Sequence, residues 1–248
     1  MVHANKVFEV QASRPVTTFF YPGLGNDRIQ AQRYSASSGF PGALGLLPNI
    51  VPIQPYDAHD VFRFNVAQQG DVQHALTETR RQLEARPGKD ERFILFGTSR
   101  GAAVALQVAH NLTADELKRV AFVVCEGVFD TAPAVMESRF GSRVTRFLQW
   151  ALPKICEYRA ESSPTPLQIA REFAHVDLPL LLVTSRADII VPPQHTQAMA
   201  DVLKTRNKKT TLLQLEHSPH SSMATWDDRD RQTYAQTMQL MFKLHLVA

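Results

Sequence analysis

An α/β fold, with a mostly parallel central sheet flanked by helices, is the class this sequence predicts. Three observations carry the prediction. Short apolar runs recur along the chain without polar alternation, which is how strands buried on both faces read. Each run is followed by a stretch with helical spacing, as parallel strands joined by crossover helices require. The chain has 248 residues, 44% hydrophobic and 21% charged, enough to bury one large core.

The candidate strands, in order, are Lys6–Gln11, Val16–Tyr21, Asn49–Gln54, Arg92–Phe96, Val120–Cys125, Leu178–Thr184 and Thr210–Leu215. A helix over about Val72–Ala85 follows from Val72, Ala75, Leu76, Thr79 and Leu83, which recur on one face. Alanine-rich sequence predicts a second helix from Arg100 to about Asn111, and a third runs from Gln194 to about Thr205. The last begins near Asp227-Asp228, acidic residues suited to a helix N-terminus, and carries Tyr234, Met238, Met241 and Leu244 on one side. Residues from about 130 to 170 break this alternation and read as a small helical cap inserted after the strand ending at Cys125. Such an insertion sits over the carboxyl ends of the strands, where α/β sheets place ligands; the alternative is surface helices packed beside the sheet. With no internal repeat and no linker, residues 1–248 read as a single domain.

Composition narrows the function. Net charge is +3, but the cations are scattered, and the one dense stretch, Lys204 to Lys209, falls in a predicted turn, so no nucleic-acid partner is expected. No apolar run approaches the ~20 residues of a membrane span, and the first ten residues lack the apolar core of a secretory signal. Cys125 and Cys156, the two cysteines, read as reduced thiols and the chain as cytoplasmic.

The chemistry concentrates in FILFGTSRGAAVAL, residues 93–106. An apolar run breaks at Gly97-Thr98-Ser99-Arg100-Gly101 and becomes a helical pattern, the strand–turn–helix context of a nucleophile elbow. A serine held in so sharp a turn presents its hydroxyl at a helix N-terminus, where positive potential favours the anionic states of acyl transfer. It needs a base, and the base an orienting acid, in the chain order Ser, acid, His. Asp188 lies just past the run Leu178–Thr184, and LEHSPH supplies His217 and His220 after the last strand. His220, clear of the strand end and following Pro219, is preferred over His217. Glu126 and Asp130, after the strand ending at Cys125, are runners-up for the acid and otherwise line the pocket or cap a helix.

An oxyanion hole needs two N–H donors. The Arg100 amide is one candidate. Leu24, between Gly23 and Gly25 in the loop after Val16–Tyr21, offers the second. The Arg100 side chain could meet a substrate carboxylate, but an internal ion pair holding the elbow is the preferred reading. Gly23-x-Gly25 fails as a dinucleotide fingerprint because Arg28 stands where the third glycine belongs. His217 and His220 lack a third ligand for a metal site, so neither cofactor nor metal is expected.

With PGLG (22–25), GTSRG (97–101), SRADIIVPP (185–193) and HSPH (217–220) assembled, the chain resembles the α/β-hydrolase superfamily over nearly its whole length. It is most similar to compact serine hydrolases near dienelactone hydrolase and the prolyl-oligopeptidase catalytic domain. The resemblance implies a triad of Ser99, Asp188 and His220, with Leu24 and Arg100 amides as the oxyanion hole, hydrolysing an ester of a small-molecule acyl substrate through an acyl-enzyme. The alternatives are an acylaminoacyl- or dipeptidyl-type peptidase, and a binding protein that keeps the fold without catalysis.

Overall fold

The computed structural model of the protein describes residues 15–24, 27–35, 47–54, 66–88, 90–156, 158, 164–221, 223 and 227–246. Along the chain these form β1 (Val16–Tyr21), α1 (Asp27–Tyr34), β2 (Ile50–Pro52), α2 (Gln69–Glu84), β3 (Arg92–Thr98), α3 (Arg100–Asn111) and α4 (Ala114–Leu117). There follow β4 (Val120–Glu126), α5 (Ala132–Ile155), α6 (Pro166–Glu172), β5 (Leu180–Ser185), α7 (Pro193–Arg206), β6 (Thr210–Leu215) and α8 (Asp228–His245). Among the described residues the strands make one six-stranded sheet in the order β2-β1-β3-β4-β5-β6, with every pairing parallel. The expected strand Lys6–Gln11 lies outside the described residues.

The unbroken apolar runs are explained by two buried faces. Phe19, Phe93, Leu95, Val123, Leu180 and Leu182 join one core cluster with residues of α2, α3 and α7. Their alternate neighbours Phe20, Ile94, Phe96, Phe122, Val124, Leu181 and Val183 join a second with α1 and α8. Each fully buried Leu, Val or Phe contributes on the order of 1.5–3 kcal/mol relative to exposure.

Element edges differ from the sequence expectation where proline or long-range packing intervenes. β5 begins at Leu180, because Pro179 has no N–H to give the ladder. α1 carried no amphipathic signal in DRIQAQRY. Its buried Tyr34 packs on Phe96 at 4.8 Å between ring centroids and on Phe20 at 5.9 Å, contacts that no local pattern announces. In the stretch from about 130 to 170, α5 starts at the Thr131 cap, breaks at Gly141 (φ 77°, ψ 162°) and resumes. Ala132, Val135 and Met136 at its start, and Leu152 and Cys156 at its end, pack on the cluster that contains α3.

Because every strand is parallel, all carboxyl ends lie along one edge. The loops after β1, β3, β4, β5 and β6 therefore open on that edge, and the reversal of strand order at β1/β3 marks the usual position of a ligand crevice.

Candidate active site

Ser99 follows β3 directly and adopts φ 53°, ψ −118°. A non-glycine residue there is strained by about 1–3 kcal/mol and persists only where its surroundings hold it. Two close approaches do so. A β-carbon on Gly97 would lie 2.2 Å from the Gly101 carbonyl oxygen, and one on Gly101 would lie 1.9 Å from the Tyr21 oxygen. Both flanking residues of the G-x-S-x-G segment must therefore be glycine, for reasons of space. The Ser99 amide donates to the Glu126 carbonyl at 2.7 Å, tying the turn to the end of β4. Serine at a helix N-cap ordinarily accepts a backbone N–H with its hydroxyl, but Ser99 makes no such bond, so its Oγ is not used up in capping.

Arg100 turns its side chain inward. Its Nε lies 3.3 Å from Asp71 Oδ2, both side chains almost fully buried, and Asp71 also accepts the Ala67 amide at 3.1 Å. The guanidinium is thus an internal partner of α2, the preferred of the two readings of this side chain.

Asp188, buried in the turn after β5, accepts the amides of Ile190 and Val191 on Oδ1 at 2.9 and 2.8 Å. These bonds aim Oδ2 at His220 Nδ1, 2.7 Å away. A carboxylate can only accept, so Nδ1 carries a proton, and in the neutral ring Nε2 keeps its lone pair. His220 packs over Gly127 (φ 63°), where a β-carbon would come within 3.3 Å of the ring. Gly127 follows the residue whose carbonyl holds the Ser99 amide, so the ring stands beside the elbow. Among the described residues no hydrogen bond joins that ring to Ser99.

The histidine-bearing loop is fixed from α8. Asp230 accepts the amides of Glu216, His217 and Ser218 at 3.1, 2.8 and 2.7 Å, and the Ser218 hydroxyl at 2.7 Å. Burial alone would raise this carboxyl, but those hydrogen bonds together hold it below its ordinary value. Asp230 was not singled out from sequence, because its partners lie 12 to 14 residues away across a turn. His217 itself is exposed.

The other two candidate acids are engaged elsewhere. Glu126 is buried and receives the Tyr34 hydroxyl on both oxygens at 2.7 and 2.8 Å and the Tyr234 hydroxyl at 3.1 Å. Burial pushes its pKa from 4.5 up to about 7, against the pull of the two tyrosine bonds and the nearby His220. Asp130 Oδ1 lies 2.8 Å from His195 Nδ1, and His195 Nε2 lies 3.1 Å from Ser138 Oγ. That chain ties the start of α5 to α7. Burial works to raise the Asp130 carboxyl, but the bonds from His195 and the Thr131 amide outweigh it and lower its pKa.

Leu24 lies in the loop after β1 with its side chain 52% exposed, while Gly23 is buried; Gly25 lies outside the described residues. The close approach of Gly101 to Tyr21 and to the Pro22 carbonyl (2.6 Å from a β-carbon) presses this loop onto the first turn of α3. Among the described residues no group of three or more His, Cys, Asp or Glu is arranged to hold a metal ion, and no helix is long and apolar enough to cross a membrane.

Similar proteins share this architecture. An esterase of Pyrococcus furiosus superposes with a TM-score of 0.62 at 15% identity, over 94% of this chain and 85% of its own. An esterase of Thermogutta terrifontis gives 0.58 at 16% identity, over 95% and 83%. The acylaminoacyl peptidase of Pyrococcus horikoshii gives 0.64 at 17% identity over 96% of this chain, which spans only 38% of that longer protein. At these identities the likeness is one of fold. No curated protein sequence matches the chain. The prolyl oligopeptidase family model does match, over residues 69–245, from α2 to the end of α8. That span takes in the elbow, the carboxylate–imidazole pair and the strands that carry them, and by it the chain belongs to the prolyl oligopeptidase family, of serine hydrolases.

Proposed function

We propose that the protein hydrolyses carboxylic esters of small acyl substrates, with Ser99 as nucleophile, His220 as general base and Asp188 as the acid that orients it. The observation that carries this reading is the 2.7 Å bond between Asp188 Oδ2 and His220 Nδ1, on the sheet edge that also bears the strained Ser99. With Nδ1 protonated, Nε2 takes the hydroxyl proton as Ser99 Oγ attacks the carbonyl carbon. The hydrogen bond between these two groups forms as substrate arrives, a common behaviour of catalytic contacts. Negative charge gathers on the carbonyl oxygen, and the amides of Arg100 and Leu24 are the donors proposed to meet it. Nε2 then returns the proton to the leaving alcohol, and water activated by the same histidine releases the acid. No cofactor enters this scheme. The stretch of about 130–170, with α5 and α6, serves as the cap that shapes the pocket, and the location is cytoplasmic, in keeping with the two thiols at Cys125 and Cys156.

Membership of a peptidase-containing family favours a second reading, cleavage of acylaminoacyl or dipeptidyl amides. Turnover of p-nitrophenyl esters of graded chain length beside aminoacyl p-nitroanilides separates the two. A fluorophosphonate probe should label the wild-type protein and leave Ser99→Ala unlabelled. A Ser99→Ala variant with full esterase turnover, or a wild type inert to the probe, rules out the assignment and leaves a binding protein on a hydrolase fold.

A further inference from the structure

The outward face of the second half of α5, turned away from the core, takes no part in the chemistry of the hydrolytic reading. Beyond the break at Gly141 the helix leaves Val144, Phe147, Trp150 and Ile155 exposed, with Phe147 at 61% and Trp150 at 59%. Arg143, Arg146 and Lys154 are exposed among them. Among the described residues of α5 only Thr145 is fully buried, on the side shared with Leu152 and Cys156. At 100° per residue, the side opposite Thr145, Leu152 and Cys156 is centred on Lys154, with Arg143, Phe147 and Trp150 beside it and Val144 and Ile155 toward one edge. Between residues 139 and 155 the sequence has four cations (Arg139, Arg143, Arg146, Lys154) and no carboxylate. Lys154 Nζ sits 3.3 Å above the Trp150 ring, and Phe147 and Trp150 lie 5.9 Å apart.

This pattern discriminates among occupants. Arginine and aromatic side chains also suit a protein partner, but four cations with no carboxylate between residues 139 and 155 call for an anionic one. Single-stranded nucleic acid stacks its bases on aromatic platforms, but Lys154 already covers one face of the Trp150 ring, and Val144 and Ile155 have no role in such stacking. A helix lying in the headgroup layer wants this composition: aromatic and aliphatic side chains reaching the acyl boundary, with Arg and Lys at the phosphates. We propose that this face of α5 docks the protein on membranes rich in anionic phospholipid, the helix lying in the plane of the surface. The inference stands independently of the hydrolytic reading.

Co-sedimentation of the full chain with vesicles of phosphatidylcholine, alone or mixed with phosphatidylglycerol, tests it. Binding to the anionic vesicles is expected to be tighter by about tenfold or more and to weaken as salt is raised. Tryptophan emission should shift to the blue on binding, and Trp150→Phe should abolish the shift, which excludes the other tryptophan, Trp226, as its source. Arg143→Glu with Arg146→Glu, and separately Phe147→Ser, should each weaken partition by about tenfold. Melting temperature and circular dichroism check that these surface variants stay folded; Arg143→Gln with Arg146→Gln replaces any that does not. Equal affinity for neutral and anionic vesicles, or variants that bind like wild type, overturns the proposal. So does binding to oligouridylate, or a dimer lost in Phe147→Ser, in the absence of vesicle binding.

Discussion

Gly101, at the start of α3, faces the end of β1 so closely that a β-carbon there would stand 1.9 Å from the Tyr21 carbonyl oxygen and 2.6 Å from that of Pro22. The contact is backbone against backbone, so no flexible side chain can give way. It brings the loop carrying Leu24 against the turn carrying Ser99. Gly101→Ala must push loop and helix apart, at a cost of about 1–3 kcal/mol for overpacking. We expect lower stability in urea and, since an oxyanion donor displaced from its place costs ~3–4 kcal/mol of transition-state stabilisation, a fall in esterase kcat of at least about a hundredfold. Unchanged kcat in a destabilised Gly101→Ala protein would separate the loop from catalysis.

Asp188 and His220 offer a cleaner test. Asp188→Asn keeps the shape of the side chain but can donate to Nδ1, which favours the wrong tautomer. The expected loss in kcat is roughly 10³–10⁴-fold with little change in KM, following the logic of triad acids. His217→Ala should retain near wild-type turnover, because His217 is exposed and its amide, not its ring, bonds Asp230. Comparable losses at 217 and 220 would contradict the assignment of the base.

Asp230 anchors the loop that carries the proposed base. Asp230→Ala leaves the amides of Glu216, His217 and Ser218 without their acceptor, and the expected destabilisation is roughly 2–4 kcal/mol in equilibrium unfolding. Activity should fall through kcat, because His220 sits two residues beyond the clamp. Asp230 has a folded-state pKa held below its ordinary value. Its contribution is therefore present above the unfolded pKa of about 3.9 and is lost as pH falls through the folded value. Acid unfolding of the Asp230→Asn protein should accordingly be less steep than that of wild type.

Glu126 works in the opposite sense. Its pKa is raised from 4.5 to about 7 by burial, so between those values the unfolded chain is ionised at this position while the folded one keeps its proton. Stability then declines as pH rises through that window and levels off above about 7, with a slope of up to roughly 1.4 kcal/mol per pH unit. Glu126→Gln, neutral at every pH, should remove this component. Urea midpoints of both proteins across the window decide the matter; parallel curves would refute the buried-proton account.

Sequence patterns exposed the sheet well because its signals are local. Strands buried on both faces read as short, largely apolar runs, and Val16–Tyr21 coincides with the fully buried β1; Thr210–Leu215, only partly buried, coincides with the edge strand β6. The glycines of GTSRG were legible for the same reason, since the sharp turn and its steric demands lie within five consecutive residues. α1 was not legible: its polar sequence has no amphipathic period, and it is secured by Tyr34, whose hydroxyl reaches Glu126 across 92 residues of chain.

Chemistry written in neighbouring residues thus came from the amino-acid order alone: the strand–turn–helix elbow at Ser99, the α/β class, and a short list of acids and histidines in the loops after the strands. The partner of each acid became visible only in the fold. Chain order put Asp188 ahead of Glu126 and Asp130, and in the fold Tyr34 and Tyr234 bond Glu126, His195 bonds Asp130, and His220 is bonded to Asp188. Such pairings join groups far apart along the chain, and a carboxylate's partner is fixed by which side chains the packed elements bring within about 3 Å of it. Nothing in local sequence carries that distance.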